Sequence, residues 1–323
     1  MARRAGARGR HERRPTLVGG DILGAVRHRL PADVLLLITV LIWSFHFAVI
    51  KYGLTHGFAP LAYATVRFGI GSLLFAAITY GRERTLAVQR RDLWLLLVVA
   101  SATLFVSQTA FAYATQLTTA STVALVFGTL PIFVVIFSRL IGTERGHARH
   151  WLAAALSFGG VALVAAGAQG GLSGDLGGIL VGIFAPLTWA IYSILIGSLM
   201  RRYSPYRLSA VAGLAAIVPL AAISVPQLVH EDWSSIGWLA WAALAYSTVL
   251  SFVVTNVLWF TAIDRVGANR SSLYVNLQPF LGALFAVVIL SESLGVLQLV
   301  GGAVIGGGIL LARGGRVPVA GTE

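Results

Sequence analysis

The chain has 323 residues, of which 57% are hydrophobic and only 11% are charged. So few charges cannot give a soluble domain its polar surface, and the composition therefore excludes a soluble fold and favours helices that lie in lipid. The formal net charge is +12, and the lack of cysteine excludes disulfide bonds and thiolate metal sites.

The chain begins with an arginine-rich tail, residues 1–31, which contains eight arginines and no apolar core of a signal peptide. Ten apolar runs follow the tail. Because the hydrocarbon core of a bilayer is about 30 Å thick, a run of about 20 apolar residues can cross it as one helix. The sequence predicts spans at 33–50, 60–80, 93–114, 119–141, 150–167, 176–199, 205–225, 236–260, 268–290 and 294–312. A second tail, residues 314–323, ends the chain.

The basic residues are distributed asymmetrically along these spans. Of the 24 Lys and Arg residues, 22 fall in the two tails and in every second loop. Since basic residues are retained on the cytoplasmic side of a membrane, we expect both termini of this cell-membrane protein to be cytoplasmic. The same residues would contact anionic lipids, so the positive net charge does not indicate a nucleic-acid partner. The two exceptions are Lys51, interpreted as an interfacial anchor, and Arg67, which lies inside the second span.

A part of the fourth span recurs 148 residues later. Residues 125–144 correspond to residues 273–292, and each copy has a proline inside the apolar run and a glutamate at its end. We interpret residues 32–168 and 175–313 as two related halves of five spans each. Because five is an odd number, the second half must enter the membrane in the opposite orientation. The predicted fold class is an all-α integral membrane protein with ten transmembrane helices arranged as two inverted five-helix repeats.

Several elements of this pattern resemble a known family. They are Trp43–Lys51, the stretch from Pro60 through Arg67 and Phe68, and the two segments that run from proline to glutamate. Together, over residues 33–313, they resemble the EamA family of the drug/metabolite transporter superfamily. The resemblance implies a central cavity lined by spans 1 to 4 and 6 to 9, with spans 5 and 10 at the periphery. It also implies export of amino acids and other small metabolites.

Polar side chains inside the spans are the candidates for cargo binding, because such groups are costly in a membrane unless they are paired or face a wet cavity. Arg67 could clamp a substrate carboxylate or could hold backbone carbonyls in a structural role. Trp43 and His46 share one helical face, which Trp189 and Tyr192 repeat in the second half, as cavity walls or as ordinary helix packing. The candidate set is Trp43, His46, Arg67, Gln108, Trp189, Tyr192, Asn256, Trp259, Asn276 and Gln278.

The two repeated prolines, Pro131 and Pro279, are candidate hinges. Each lacks an N–H and should leave the carbonyl four residues earlier without its helical partner. The alternative is a static kink, satisfied by a neighbouring hydroxyl group. Glu144 and Glu292 at the ends of the repeated segments are predicted to cap the helices that follow them.

The spans contain no Asp or Glu near their middle, which disfavours carboxylate proton relays and acidic sodium sites. The repeat and the resemblance together predict a secondary transporter that works by alternating access, and the resemblance implies that it exports amino acids or related polar or amphipathic metabolites. A channel-like or facilitative pore is the alternative. We expect no enzyme activity, cofactor or metal site, and the expected partners are a small-molecule substrate and the lipid bilayer. Glycine pairs at 159–160 and 307–308 suit close packing within the chain or a homodimer.

Overall fold

The elements of the computed structural model are all helical over the residues it describes, which are 30–143, 148–167, 176–290 and 295–313. The first half contains α1 (Ala32–Thr55), α2 (Pro60–Glu83), α3 (Arg90–Leu117), α4 (Ala120–Phe127 and Leu130–Ile141) and α5 (Ala148–Gly167). The second half contains α6 (Leu176–Leu199), α7 (Pro205–His230), α8 (Trp238–Val266), α9 (Ala268–Leu273, Tyr274–Asn276 and Leu277–Leu290) and α10 (Val296–Arg313). A helical segment thus lies at each of the predicted ranges.

Within the described residues, seven helices are long and apolar enough to cross a membrane: α1, α2, α3, most of α4, α6, α7 and α8. The helices α5 and α10 contain shorter apolar stretches, Ala148–Val164 and Leu299–Ala312. The predicted all-helical class is therefore confirmed, whereas the number of ten spans stays a prediction. The helix α1 continues through Lys51 to Thr55, beyond the predicted span, because a polar residue lowers hydropathy without breaking the helix.

The helices α3 and α6 form an antiparallel pair between the two halves. Gly178 near the start of α6 packs against Leu117 at the end of α3. Further along α6, the carbonyl of Ala185 accepts a hydrogen bond from Ser107 Oγ at 3.0 Å, nearer the start of α3. The contacts therefore run in opposite directions along the two helices.

The helices α2 and α7 are paired in the same way. Thr65 Oγ1 in the first part of α2 donates to Ser224 Oγ in the last part of α7 at 2.6 Å. At the other end of the pair, Arg207 near the start of α7 bonds to Glu83 at the end of α2. A third antiparallel pair, α5 with α10, is in contact where Gly160 lies against the backbone of Gly301.

The helix α1 lies alongside α3 and runs parallel to it. The His46 ring stacks on Phe111, and one turn further along both helices Lys51 Nζ donates to the carbonyls of Thr115 and Thr118, each at 2.8 Å. A cation at these last carbonyls satisfies acceptors that have no partner within the helix and complements the helix dipole. Lys51 therefore acts as a cap on the carboxyl end of α3.

The helix α8 contacts α1 from another side and runs antiparallel to it. Trp43 Nε1 donates to Thr255 Oγ1 at 2.9 Å, whereas His46 Nδ1, further along α1, lies 3.2 Å from Ser247 Oγ, which is earlier in α8. Since α3 is parallel to α1 and α8 is antiparallel to it, α3 and α8 run in opposite directions. They occupy matching positions in the repeat.

Three arginine–carboxylate pairs join helices of the two halves at one end of this bundle. The end comprises the starts of α1, α3 and α7, the ends of α2 and α6, and the junction of α8 with α9. The pairs are Asp33 with Arg270 at 2.6 Å, Asp92 with Arg202 at 2.8 Å, and Glu83 with Arg207 at 2.5 Å. The hydroxyl of Tyr274 also donates to Asp33, at 2.5 Å, and so ties α1 to the middle of α9.

The helices α4 and α9 are interrupted just before their prolines. Gly128 and Thr129 separate the two parts of α4, and Pro131 is the second residue of the new helix. In α9, the 3-10 segment Tyr274–Asn276 precedes a helix in which Pro279 is the third residue. A proline in the first turn of a helix removes no intrahelical hydrogen bond, because these N–H groups have no partner there. The break thus lies upstream of the expected site, and the hinge role stays a prediction.

Two further irregularities lie in the matched helices α3 and α8. Each contains one π-helical segment, Leu95–Ala100 in α3 and Val249–Val254 in α8. Neither segment is predicted from the sequence, since hydropathy carries no information on where a helix takes up an extra residue. Segments of this kind are frequent at functional sites of helices.

Candidate functional site

A cavity lies where α1, α2, α3, α4, α6, α8 and α9 meet, and its empty volume of about 560 Å³ includes space that is open to solvent. Its wall is mainly aromatic, with a few polar groups at their tips. Among the described residues, α7 contributes nothing to this lining, although the resemblance implied a contribution from the seventh span. The structure brings together seven of the ten predicted candidates on the cavity wall: Trp43, His46, Arg67, Gln108, Trp189, Asn256 and Gln278.

The other three candidates, Tyr192, Trp259 and Asn276, lie behind the wall. Tyr192 is fully buried, and its ring centroid is 5.3 Å from that of Trp189. Trp259 packs against Trp43 with the ring centroids 5.1 Å apart. Asn276 is fully buried in the 3-10 segment of α9. Tyr192 and Trp259 thus pack against side chains that line the cavity, and none of the three residues lines it.

The indole of Trp43 joins the two halves across the cavity. Its ring meets Trp189 edge to face, with centroids 6.0 Å apart and planes at 82°. The predicted aromatic faces of the first and sixth spans therefore do meet, in a geometry that aromatic pairs prefer. Its Nε1 donates to Ser251 O at 3.1 Å and to Thr255 Oγ1 at 2.9 Å, which fixes the ring on α8.

The carbonyl of Ser251 is available to Trp43 because of the π-helical segment of α8. The N–H of Thr255, where the α-helix resumes, bonds to the carbonyls of Leu250 and Phe252 and passes over the one between them. A change from π to α geometry skips one acceptor in this way. The skipped acceptor receives the Trp43 Nε1 and the Thr255 hydroxyl, the latter at 2.6 Å.

Arg67 is a buried cation on the cavity wall, with 6% of its surface exposed. Its Nε donates to Ser247 O at 3.0 Å, and its guanidinium carbon lies 5.2 Å from the ring centroid of Phe68 and 5.8 Å from that of Phe252. These distances are within the range of cation–π attraction. No carboxylate lies within ion-pair distance of Arg67 among the described residues.

His46 and Arg67 both contact Ser247. His46 Nδ1 lies 3.2 Å from Ser247 Oγ, which also forms a 2.5 Å hydrogen bond with the Tyr63 hydroxyl. The imidazole stacks on Phe111 with centroids 5.9 Å apart and planes at 24°. Its Nε2 is buried and has no hydrogen-bond partner among the described residues, and the residue lines the cavity. His46 Nε2 is therefore a candidate for binding a ligand.

The predicted amides also present unsatisfied groups. The residues Asn256 and Gln278 line the cavity, and their atoms Asn256 Nδ2 and Gln278 Oε1 have no hydrogen-bond partner within the described part of the chain. Both residues are almost fully buried, with exposures of 1% and 2%. Since buried polar groups are normally paired, these atoms are candidates for binding a ligand or water.

Sequence reasoning missed most of the aromatic lining. The additional wall residues are Phe47, Phe68, Ser107, Phe111, Phe127, Leu130, Ser251, Phe252 and Val275. Phenylalanine and leucine are common everywhere in these spans, so type alone does not separate a wall residue from a lipid-facing one. A signal was available at Ser107 and Phe111, since they lie beside Gln108 on the third span. No such signal marks Ser251, because its role depends on the π-helical segment.

The described residues contain no group of three or more His, Asp or Glu side chains that could hold a metal ion. The predicted capping residues Glu144 and Glu292 lie outside the described residues. The site is therefore one guanidinium, one imidazole and several amide and hydroxyl groups on an aromatic wall. This arrangement can bind a small polar molecule with an apolar part.

The chain is similar to known transporters over most of its length. The model of the EamA-like transporter family matches residues 30–166 and again residues 176–314. An uncharacterized transporter of Archaeoglobus fulgidus is 29% identical over 287 residues, covering 86% of this chain and 96% of the relative. A probable terminal-alkyne amino-acid exporter of Streptantibioticus cattleyicolor is 26% identical over 277 residues, covering 85% of this chain and 91% of the relative. A crystal structure with 21% identity shares the fold, with a TM-score of 0.71 over 87% of this chain and 96% of that one.

Proposed function

The chain belongs to the EamA-like transporter family, and on that premise we propose that this multi-pass membrane protein is a secondary transporter of small metabolites that works by alternating access. Its cargo is an amino acid or a related polar or amphipathic compound, and the direction is export. The observation that carries the proposal is the cavity that α1 lines together with helices of both halves. There, polar atoms of His46, Asn256 and Gln278 have no hydrogen-bond partner among the residues that the structure describes.

The architecture that we propose consists of ten spans in two inverted halves, residues 32–168 and 175–313. Three observations support it. The family model matches twice, once in each half. The matched helices α3 and α8 run in opposite directions, as do the pairs α2 with α7 and α5 with α10. The π-helical segments also occur once in each half.

Alternating access needs an end of the bundle that can close and open. The three arginine–carboxylate pairs that join the halves lie at one end, and the distribution of basic residues makes that end cytoplasmic. Asp33 holds both Arg270 and Tyr274, and the latter belongs to the 3-10 break of α9 that also carries the wall residue Val275. Opening this end would therefore move part of the cavity wall, with Pro131 and Pro279 next to the two breaks.

The proposal is tested by counterflow in liposomes that contain the purified protein. Cargo is first identified by a resistance screen of overexpressing cells with a panel of amino acids and related metabolites. A carrier gives saturable uptake that an internal pool of the same compound accelerates. Uptake that rises without saturation and without acceleration would instead identify the channel-like alternative.

A matched pair of tryptophan variants tests whether the cargo binds in the cavity. Trp43→Phe removes the donor to Ser251 O and loosens the wall, whereas Trp238→Phe changes a residue that is 79% exposed and lies outside the cavity. Loss of one hydrogen bond of about 1 kcal/mol weakens the apparent affinity about fivefold in Trp43→Phe. Equal transport constants in both variants would contradict the placement of the cargo site.

A further inference from the structure

We propose that the cargo of this cavity is an amphipathic monocarboxylate, in which the carboxylate binds Arg67 and no ammonium group is required. The inference rests on the proposed transport function and narrows its cargo class. It places the carboxylate beside α2 and the apolar part of the molecule against the aromatic wall. It further predicts that removal of the amino group from an amino-acid cargo does not abolish recognition.

The charge on the cavity wall favours an anionic cargo. Arg67 is the one formally charged side chain among the described residues that line the cavity, and no Asp or Glu is among them. Only its Nε has an acceptor in the described part of the chain, the carbonyl of Ser247. A buried cation without a counter-ion is costly inside a bilayer, and an anion that supplies the missing charge is favoured there. A carboxylate also matches the guanidinium geometry with two parallel hydrogen bonds.

Hydrogen-bonding atoms without a partner on residues of the same wall also favour a carboxylate. His46 Nε2 and Asn256 Nδ2 have no partner among the described residues, and both residues are more than nine-tenths buried. The amide nitrogen Asn256 Nδ2 is a donor, and His46 donates from Nε2 in the tautomer that carries its proton there. With Arg67, the wall therefore offers donors from α1, α2 and α8 to acceptors on the cargo. A carboxylate has two oxygen atoms that accept about four hydrogen bonds.

The same wall disfavours a cargo whose only charge is an ammonium group. An ammonium in this cavity would meet no carboxylate on the wall, and it would share the space with the Arg67 cation. The groups left to it are aromatic faces and amide or backbone oxygen atoms, such as Gln278 Oε1. A zwitterion is thus tolerated through its carboxylate, whereas a simple amine is disfavoured.

The apolar part of the cargo fits the remaining wall. Trp43, Trp189, Phe111 and Phe127 line the cavity with large flat faces. An aromatic or branched aliphatic body would bury its surface against these rings. A short, fully polar acid such as a dicarboxylate would leave the rings uncovered.

The test uses two triads of probes that share a body and differ in charge. The aromatic triad is 3-phenylpropionate, L-phenylalanine and 2-phenylethylamine, and the aliphatic triad is 4-methylpentanoate, L-leucine and 3-methylbutylamine. Binding to the purified protein is measured by calorimetry at pH 7. In at least one triad, we expect the acid to bind no more weakly than the amino acid, and the amine to bind at least about tenfold more weakly than both.

Arg67 variants separate the charge from its geometry. Arg67→Gln is expected to weaken binding of the acid and the amino acid about tenfold or more without weakening binding of the amine, because the charge-assisted bonds are lost. Arg67→Lys keeps the charge without the fork and should give an intermediate loss. Arg82→Gln, at the exposed end of the same helix, is the matched control and should behave as the wild type. The melting temperature of each variant reports whether it is folded.

Three outcomes would overturn the inference: an amine that binds as tightly as the acid, a folded Arg67→Gln variant with unchanged affinity for acids, or no binding of any member of either triad. The ranking on the wild-type protein decides even if the Arg67 variants do not fold. Saturable counterflow of some other solute together with one of these outcomes would leave the transport function standing and remove only the monocarboxylate class. Absence of saturable counterflow with every solute would remove the transport function itself.

Discussion

Ser247 of α8 connects the groups that we assign to cargo binding. Its hydroxyl lies within hydrogen-bond distance of the Tyr63 hydroxyl and of His46 Nδ1, and its carbonyl accepts from Arg67 Nε. One small residue therefore positions side chains from α1 and α2. It does not line the cavity itself.

Replacement of this hydroxyl should affect His46 more than Arg67. In Ser247→Ala the carbonyl still holds Arg67, but His46 Nδ1 and the Tyr63 hydroxyl each lose a partner, at a cost of about 1–3 kcal/mol in unfolding free energy. We expect a lower melting temperature and a higher apparent Km for cargo. Ser44→Ala is the control, because Ser44 is also buried and bonds to Val40 O of its own helix. If both variants raise Km equally, the positioning role of Ser247 is wrong.

Among the helices, α5 and α10 show how small residues set the distance between elements. The backbones of Gly160 and Gly301 lie against each other, and an added Cβ on Gly160 would come within 2.7 Å of the Gly301 carbonyl oxygen. Gly159, next to Gly160, and Gly307, in the second glycine pair, have no atom within 4 Å of a Cβ added to them. The glycine pairs thus serve packing within the chain through one member, while the other member faces outward and keeps a homodimer as a proposal.

Alanine substitutions at adjacent positions test this division. Gly160→Ala overpacks the contact with α10 and should destabilise the protein by about 1–3 kcal/mol, seen as a lower melting temperature in detergent. Gly159→Ala has free space and should leave the melting temperature unchanged or slightly raised, because alanine favours the helix by up to about 1 kcal/mol. The same loss in both would exclude the close α5–α10 contact. A change of oligomeric state in Gly159→Ala alone would instead identify a dimer face.

For the whole molecule, the orientation of the two halves decides which end of the cavity opens to which side. The antiparallel pairs place the ends of the helices relative to one another, and the distribution of basic residues predicts which side of the membrane each end faces. The chain contains no cysteine, so a single introduced cysteine can be labelled without background.

Labelling of Glu144→Cys and Glu292→Cys tests the inverted arrangement in intact cells. With both termini cytoplasmic, a membrane-impermeant thiol reagent should react with the cysteine at position 292 from outside, and with the one at position 144 only after the cells are opened. The two residues match in the repeat, so they serve as controls for each other. Reaction of both from the same side would contradict the inversion of the halves.

Much of the fold could be predicted because hydropathy and charge act along the chain. Helices occupy the predicted ranges since an unpaired backbone cannot lie in lipid, and an apolar run of sufficient length must therefore be helical. The candidate polar residues on the wall, such as Arg67 and His46, were predictable for the same reason, because a polar group in a span needs a partner or a cavity. The phenylalanines of the wall were not predictable, since both lipid and cavity accept an apolar ring.

The sequence by itself determined a membrane protein of the EamA-like family and most of the polar groups of its cavity, because burial in lipid restricts both residue type and backbone. Only the tertiary structure decided which polar groups remain unpaired. Lys51 turned out to cap α3, whereas Arg67 meets a carbonyl, two rings and an open space. The physical reason is that a hydrogen-bond partner from another helix depends on packing and register, and on local features such as the π-helical segment of α8, which no periodicity in the sequence records.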